Sequence, residues 1–376
     1  MKRAHWLVVF VAASGLAGLW TQYAAVPTAA VSRDEGVHLV LSRALADGAG
    51  YPYANLESRG TSTSTPPLVP VLLASVWQLA PEFPANLVRL KLVSGLAALG
   101  IVLFLPAYLC RLGIPAWIAV VATLLTAWSP LTARQAGSIV SALPFGFLVL
   151  ATLCSVERAA EPRRGLGAGV LAGTCAGLAV LTRWPGVIVA LVVGIQVARR
   201  MDRERLAGYC YGVVCTTLPW VAWLTAHGRL DGIRADFIST PVLQRLAELP
   251  AAVALATLPG ISDLAASDPS VVGPCLLYGL GLAALIASTR QRFGPPILSL
   301  IAASIVVPGS AFPMAVAPFL LAALLAAALP IRNALGSRLT AGLVVASLLL
   351  TAGVGHYRSW TDAHPSPAAW RFASRP

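Results

Sequence analysis

The sequence has few charged residues for its length. Only 11% of its 376 residues are Asp, Glu, Lys or Arg, whereas 57% are hydrophobic and the mean hydropathy is +0.76. Soluble domains are about 25% charged, so this composition excludes that class. Repeated apolar stretches of roughly 17–25 residues are what a bilayer core requires of a helix. We therefore predict an all-α polytopic membrane protein.

Lysine is nearly absent, since Lys2 and Lys91 are the only two, and almost all of the positive charge is arginine. The net charge is +12, but the basic residues are scattered through short connections, which argues against nucleic acid as a partner. The six cysteines form no CxxC pair, so the sequence supports neither a disulfide framework nor a zinc site. Neither a P-loop, a Gly-rich dinucleotide fingerprint nor a Ser/His/Asp order stands out.

The apolar segments predict about 11 transmembrane helices. They are Trp6–Val26, Arg89–Cys110, Pro115–Ala133, Ile139–Val156, Leu166–Thr182, Pro185–Val197, Leu206–Ala226, Val271–Ala287, Pro295–Pro308, Pro313–Leu329 and Leu339–Gly355. With these spans, the arginines fall in every second connection, which places them on the same side of the membrane as Lys2 and Arg3. Because basic residues favour the cytoplasmic side, we predict a cytoplasmic N-terminus. A cleaved secretory signal is the alternative for the first segment, but its apolar run is too long for one. Leu68–Ala80 is too short to span.

Two long polar stretches interrupt the apolar pattern on the outer side of a single integral membrane domain, residues 1–376. They are the first loop, 31–88, and a second loop, 227–270. The first opens with the acidic pair Asp34-Glu35, followed by two short surface helices, Val37–Ala46 and Leu68–Ala80. Carboxylates at a membrane boundary are costly to desolvate, which favours a functional use. The alternative is an exposed turn that caps the helix after it.

Arginines lie near this acidic pair in the predicted outer region. Arginines beside a carboxylate suit a lipid whose phosphate must be held while its head group reacts. The carboxylate would take a proton from an acceptor hydroxyl as a sugar carbon is attacked. For each single arginine, the alternative to a role in the site is a snorkelling contact with lipid head groups. For His227, the alternative is that it is simply the residue at which a helix ends.

Several motifs in their order resemble a known superfamily. They are RDEGVHLVLSRALADGAGYPY, TPPLVP, PANLVRLKLVSGLAAL, LTAWSPLTARQAGSIVSALPFGFLVL, LAGTCAGLAVLTRWPGVIVAL, LPWVAWLTAHGRLDGIRADF and FPMAVAPFLLAAL. The chain resembles the GT-C superfamily of polyprenyl-phosphate-sugar glycosyltransferases, the group related to protein mannosyltransferases and aminoarabinose transferases. The resemblance runs from the N-terminus to about residue 330.

The resemblance implies a GT-C fold and transfer of a sugar, with inversion, from a polyprenyl-phosphate carrier to a lipid, glycan or protein acceptor. It implies Asp34 as the catalytic base, with Glu35 beside it. The residues expected near the carrier are Arg33, Arg59, Arg89, Arg183 and His227. We expect a multi-pass protein of the bacterial inner membrane with an extracytoplasmic active face. We expect no cofactor, and a divalent metal stays open although no ligand cluster argues for one.

The chain departs from the superfamily's pattern at several positions. Thr65 stands where relatives usually have a basic residue or His, Ala142 where an acidic residue is common, and Ser310-Ala311 where Arg-Tyr is frequent. These departures leave a second hypothesis open. The chain would then be a catalytically inactive carrier binder, or a transporter, on the same helices.

Overall fold

The computed structural model describes residues 2–26, 33–51, 65–112, 116–161 and 164–227, and every regular element in these ranges is an α-helix. The helices are α1 (Lys2–Ala25), α2 (Arg33–Ala46), α3 (Leu68–Leu79), α4 (Leu87–Arg111), α5 (Ala116–Ala127), α6 (Pro130–Ala136), α7 (Ala142–Ala159), α8 (Leu166–Thr182), α9 (Gly186–Arg200) and α10 (Arg203–Ala226). The second outer loop beyond His227 and the four spans predicted from Val271 onward lie outside the described residues.

Two of these helices, α4 and α7, are long and apolar enough by length and composition to cross a membrane. The shorter helices α3 and α8 are also apolar. Large apolar side chains are exposed at helical spacing on the outer faces, as at Leu191 and Ile195 of α9 and Val214 and Leu218 of α10. Such faces are unusual in contact with water and suit the hydrocarbon of a bilayer.

The third predicted span is broken into α5 and α6. A proline disfavours the helical conformation of the residue before it, and Ser129, which precedes Pro130, is extended with ψ of 129°. Pro130 then stands in the first turn of α6, where its missing N–H costs no hydrogen bond. The prediction of one continuous helix over Pro115–Ala133 is therefore corrected here.

The tightest packing in the bundle is between α8 and α10, where glycines let the two backbones touch. A Cβ at Gly208 of α10 would stand 2.6 Å from the carbonyl oxygen of Leu166, and one at Gly173 of α8 would collide with the carbonyl of Tyr209. Small residues at four-residue spacing are the usual way in which membrane helices approach closely. This seam fixes the direction of α8 and hence the position of its C-terminal end.

Because short connections reverse the chain between successive long helices, one end of the bundle gathers the ends of α1, α6, α8 and α10 with the starts of α4, α7 and α9. Helices α2 and α3 pack on each other at this end, where the Trp77 indole N–H donates to Ser42 Oγ at 3.0 Å. The Arg43 guanidinium lies 5.0 Å from the Trp77 ring centre. We call this end the α2 face.

Candidate active site at the α2 face

The acidic pair lies inside a helix rather than before it. Helix α2 begins at Arg33, so Arg33, Asp34 and Glu35 form its first turn, four residues earlier than the predicted start at Val37. The side chains of Arg33 and Asp34 lie outside the described part of the structure. A helix start is the favourable place for carboxylates, because the N-terminal end carries partial positive charge.

The Glu35 side chain is buried and reaches a distant part of the chain. It is only 4% exposed, and its Oε1 accepts a hydrogen bond of 2.9 Å from the backbone N–H of Ile139. Ile139 lies between α6 and α7, in a stretch that is not helical. One carboxylate oxygen thus attaches the first turn of α2 to the segment that leads into α7.

Residues 139–141 are held at each position by a different element, and we call them the 139–141 segment. Besides Glu35 at Ile139, the Ser94 hydroxyl of α4 donates to the Val140 carbonyl at 3.2 Å. Arg183, which ends α8, donates from Nε to Ser141 Oγ at 2.7 Å. Helices α2, α4 and α8 therefore meet on one short non-helical stretch.

Lys91 brings the end of α1 into the same region. Its side chain is 1% exposed, and its Nζ donates to the carbonyl of Val26 at 2.7 Å and to that of Ala24 at 3.4 Å. Its ammonium also lies within electrostatic range of Glu35. A buried ammonium is tolerated only when oxygens surround it, as here. Lys91 thus supports the same side of α2 as Glu35.

An aromatic cluster packs against Leu41 and its neighbours in α2. The rings of Trp220 and Trp223 in α10 are stacked at 4.7 Å, and Tyr51 contacts both edge to face. The Tyr51 hydroxyl donates to the Thr65 carbonyl at 3.1 Å, so the cluster also positions the chain before α3. Leu41 of α2 is buried within the same cluster.

His227 belongs to this aromatic cluster. Its ring stacks on Trp223 at 4.4 Å, and its Nδ1 lies 2.8 Å from the carbonyl oxygen of Trp223, one turn earlier in the chain. The side chain is exposed at the end of α10. The structure therefore places His227 at the α2 face but not beside the 139–141 segment.

The predicted site residues other than His227 fall into three groups. Glu35 and Arg183 are brought together on the 139–141 segment, with Arg33 and Asp34 in the same helical turn as Glu35. Arg89 is exposed in the first turn of α4 and forms no ion pair or hydrogen bond with any residue between 2 and 227 that the structure describes. Arg59 lies outside the described residues.

The predicted site residues do not include three that the geometry places in the site. Nothing in the sequence indicates a functional role for Ser141, because a serine at the start of a helix is usually an N-cap residue. The sequence does indicate a role for Lys91, since burying a lone lysine in an apolar helix costs free energy and such residues are usually functional. Tyr51 lay inside a recognised motif, but its contact with α10 depends on the fold.

Comparison with known proteins supports this reading of the fold. Residues 36–207 match the sequence model of the dolichyl-phosphate-mannose-protein mannosyltransferase family, a little under half of the chain. The structure resembles ArnT from Cupriavidus metallidurans bound to undecaprenyl phosphate, with a TM-score of 0.58 and 15% identity over 95% of this chain and 76% of that one. No curated protein matches the chain.

An archaeal enzyme shares the architecture. The oligosaccharyltransferase of Archaeoglobus fulgidus aligns with a TM-score of 0.55 and 14% identity, over 96% of this chain and 56% of that one. This chain thus spans little more than half of the archaeal protein's length. The class is therefore a polytopic membrane protein with the GT-C fold, and the resemblance to that superfamily drawn from the sequence is confirmed.

Proposed function

We propose that this chain is a membrane glycosyltransferase that moves a sugar from a polyprenyl-phosphate carrier to an acceptor hydroxyl. The observation that carries the proposal is the 139–141 segment, to which both Glu35 and Arg183 bind. It links the turn that contains Asp34 to the end of α8, and both Ser141 and Arg183 lie within residues 36–207, which match the mannosyltransferase family model. A structural relative solved with undecaprenyl phosphate supports the choice of carrier.

Asp34 is the catalytic base in this proposal. Its carboxylate takes the proton of the acceptor hydroxyl while the hydroxyl oxygen bonds to the anomeric carbon of the sugar. The bond between that carbon and the phosphate oxygen breaks on the opposite side, so the configuration inverts and polyprenyl phosphate leaves. General base catalysis of this kind contributes roughly 10²–10⁴-fold in rate.

Arg183 and Arg33 are the proposed ligands of the carrier phosphate. The hydrogen bond from Arg183 Nε to Ser141 fixes the plane of the guanidinium at the end of α8. A planar guanidinium recognises phosphate through paired hydrogen bonds, which a loosely held cation does not do. Arg59, Arg89 and His227 are proposed as outer contacts to the carrier or the acceptor.

Glu35 has a different part from Asp34. Because it is buried and accepts the Ile139 N–H, we assign it as a positioning residue that fixes the first turn of α2. Its burial beside Lys91 keeps its charge balanced. The neighbouring Asp34 is then held at a defined place by a rigid support.

We place the reaction on the extracytoplasmic side of a bacterial inner membrane, since the arginine-rich connections predict the opposite end of the bundle to be cytoplasmic. The transferred group in this proposal is a hexose or pentose. The acceptor is a lipid, glycan or protein hydroxyl that reaches the α2 face from the aqueous side.

The test is transfer from a panel of radiolabelled polyprenyl-phosphate sugars in membranes that contain the full chain. Wild type is compared with Asp34→Asn, and carrier binding is measured separately on the same membranes. We expect Asp34→Asn to lose at least about a hundredfold in transfer rate. Carrier binding should be retained, because the amide keeps the size of the carboxylate.

Asp47→Asn is the matched control, because Asp47 follows the last turn of the same helix. It pairs with Arg43 at 2.8 Å on the exposed surface, and an exposed pair contributes little. Its transfer rate should stay within about twofold of wild type. Equal activity of Asp34→Asn and wild type would overturn the role of Asp34 as the base. If wild type binds the carrier but transfers sugar to no acceptor, the proposal that the chain is a glycosyltransferase is overturned.

A further inference from the structure

A cavity lies at the end of the bundle opposite the α2 face. Its volume is about 530 Å³, and its lining includes Arg111, Ser155, Arg158, Arg164, Gly167 and Leu171. These residues come from the end of α4, the last turns of α7, the connection that contains Arg164 and the start of α8. Helix α7 has 18 residues, or about 27 Å, and it separates this cavity from the 139–141 segment. The two places cannot share one head group.

Neighbouring carboxylates balance only part of the positive charge in this cavity. Arg164 pairs with Glu161 at 3.4 Å, and outside the cavity Arg200 lies 3.7 Å from Glu157. Among the described residues, by contrast, neither Arg111 nor Arg158 forms an ion pair or a hydrogen bond. Both guanidiniums lie within electrostatic range of the Cys154 thiol, so they act on the same small region.

The start of α8 adds donors on one side of this cavity. Gly165 is the N-cap residue and no side chain caps the helix, so the N–H groups of Leu166 and Gly167 keep their hydrogen-bonding capacity, whereas that of Ala168 donates to the Gly165 carbonyl. A Cβ at Gly165 or Gly167 would meet nothing within 4 Å, so the cavity is open at this point. Guanidinium groups together with a helix N-terminus are a favourable surrounding for phosphate.

The remaining wall is apolar and follows α8 into the bundle. Leu171 lies one turn beyond Gly167 and is 51% exposed, which gives a hydrocarbon chain a surface to lie against. A free anion would make no use of that wall. We propose that this cavity binds the phosphate of an anionic phospholipid, whose acyl chains run along α8. The arginine-rich end is the predicted cytoplasmic one, where the leaflet is rich in anionic lipid.

The test measures binding of short-chain phosphatidylglycerol to the purified full chain in neutral detergent, with phosphatidylcholine and inorganic phosphate as parallel probes. The variant is Arg111→Gln with Arg158→Gln. The matched control is Arg199→Gln with Arg203→Gln, which removes the same charge from exposed positions at the same end. We expect at least tenfold weaker binding of phosphatidylglycerol in the cavity variant and a change within twofold in the control.

A second variant tests the cavity without changing any charge. Gly167→Leu places a side chain in the open space beside the arginines, and we expect it to weaken phosphatidylglycerol binding about as much as the double variant. Equal losses in the cavity variant and the control would overturn the proposal, since they would mean attraction by net charge alone. Unchanged binding in Gly167→Leu, or inorganic phosphate that competes at the same concentration as the lipid, would overturn it too.

Discussion

The Arg183 guanidinium and the Ser141 hydroxyl are joined by a hydrogen bond of 2.7 Å across 42 residues of sequence. Arg183 ends α8 and Ser141 precedes α7, so the bond connects two helices at the α2 face. Because Glu35 binds Ile139 two residues before Ser141, a change at either contact is transmitted to the other through the 139–141 segment.

The first prediction concerns this bond. Ser141→Ala removes the acceptor while keeping the helix start, and we expect kcat/KM for sugar transfer to fall about tenfold. The reason is that a hydrogen bond from a charged donor contributes roughly 1.5–3 kcal/mol, which corresponds to a factor of ten or more. Ser138→Ala is the control on the same connection, since its hydroxyl only donates to the Arg134 carbonyl. An unchanged Ser141→Ala enzyme would rule out positioning of Arg183 by Ser141.

The second prediction separates the two members of the acidic pair. Glu35→Gln keeps an oxygen that accepts the Ile139 N–H, whereas Glu35→Ala leaves that buried group without its acceptor. We expect Glu35→Ala to lower the free energy of unfolding by about 1–3 kcal/mol, and Glu35→Gln to lower it by less. Thermal unfolding in detergent measures both.

Transfer activity decides between the two roles of Glu35. If Glu35 only positions α2, the Gln variant should retain transfer within about tenfold while Asp34→Asn loses it. A Gln variant that folds with wild-type stability but is as inactive as Asp34→Asn would show instead that Glu35 takes part in the chemistry.

The helices were largely predictable, because the length of an apolar segment is enough to indicate a transmembrane helix. The predicted Arg89–Cys110 and Leu206–Ala226 correspond to α4 and α10 within three residues at either end. The predicted Ile139–Val156 corresponds to α7, which begins three residues later, at Ala142, because residues 139–141 are not helical. Hydropathy does not distinguish a short non-helical apolar segment from the helix that follows it.

The site was predictable only in part, for a physical reason. The placement of Glu35 and Arg183 at the same end follows from the direction of successive spans. Their meeting on one segment does not, because the contacts join residues 104 and 42 positions apart. Periodicity carries information about neighbours within one helix, whereas these pairs depend on how helices pack.

The third prediction compares two basic residues near the start of α4. Lys91→Met removes a buried ammonium that binds the Val26 and Ala24 carbonyls, and we expect a loss of about 2 kcal/mol in unfolding free energy. Arg89→Met removes an exposed charge two residues earlier, and its stability should change by less than about 0.5 kcal/mol. Similar melting temperatures for the two variants would contradict a structural role of Lys91.

The fourth prediction tests the glycine seam that directs α8 toward the α2 face. Gly208→Ala places a methyl group 2.6 Å from the Leu166 carbonyl oxygen and 3.1 Å from the Val170 nitrogen, and these backbone atoms have no rotamer by which to move away. We expect overpacking to destabilise the bundle by about 1–3 kcal/mol. Transfer should fall with it, since a shift of α8 moves Arg183.

Gly18→Ala in α1 is the matched control for this substitution. A Cβ there meets nothing within 4 Å, so the same change should leave stability unchanged or raise it by up to about 1 kcal/mol through helix propensity. Thermal unfolding in detergent reports stability, and the ratio of transfer to folded protein separates a displaced Arg183 from simple loss of fold. If Gly208→Ala is as stable as Gly18→Ala, then α8 and α10 do not pack backbone to backbone. The position of Arg183 must in that case be set by its contact with Ser141 rather than by the seam.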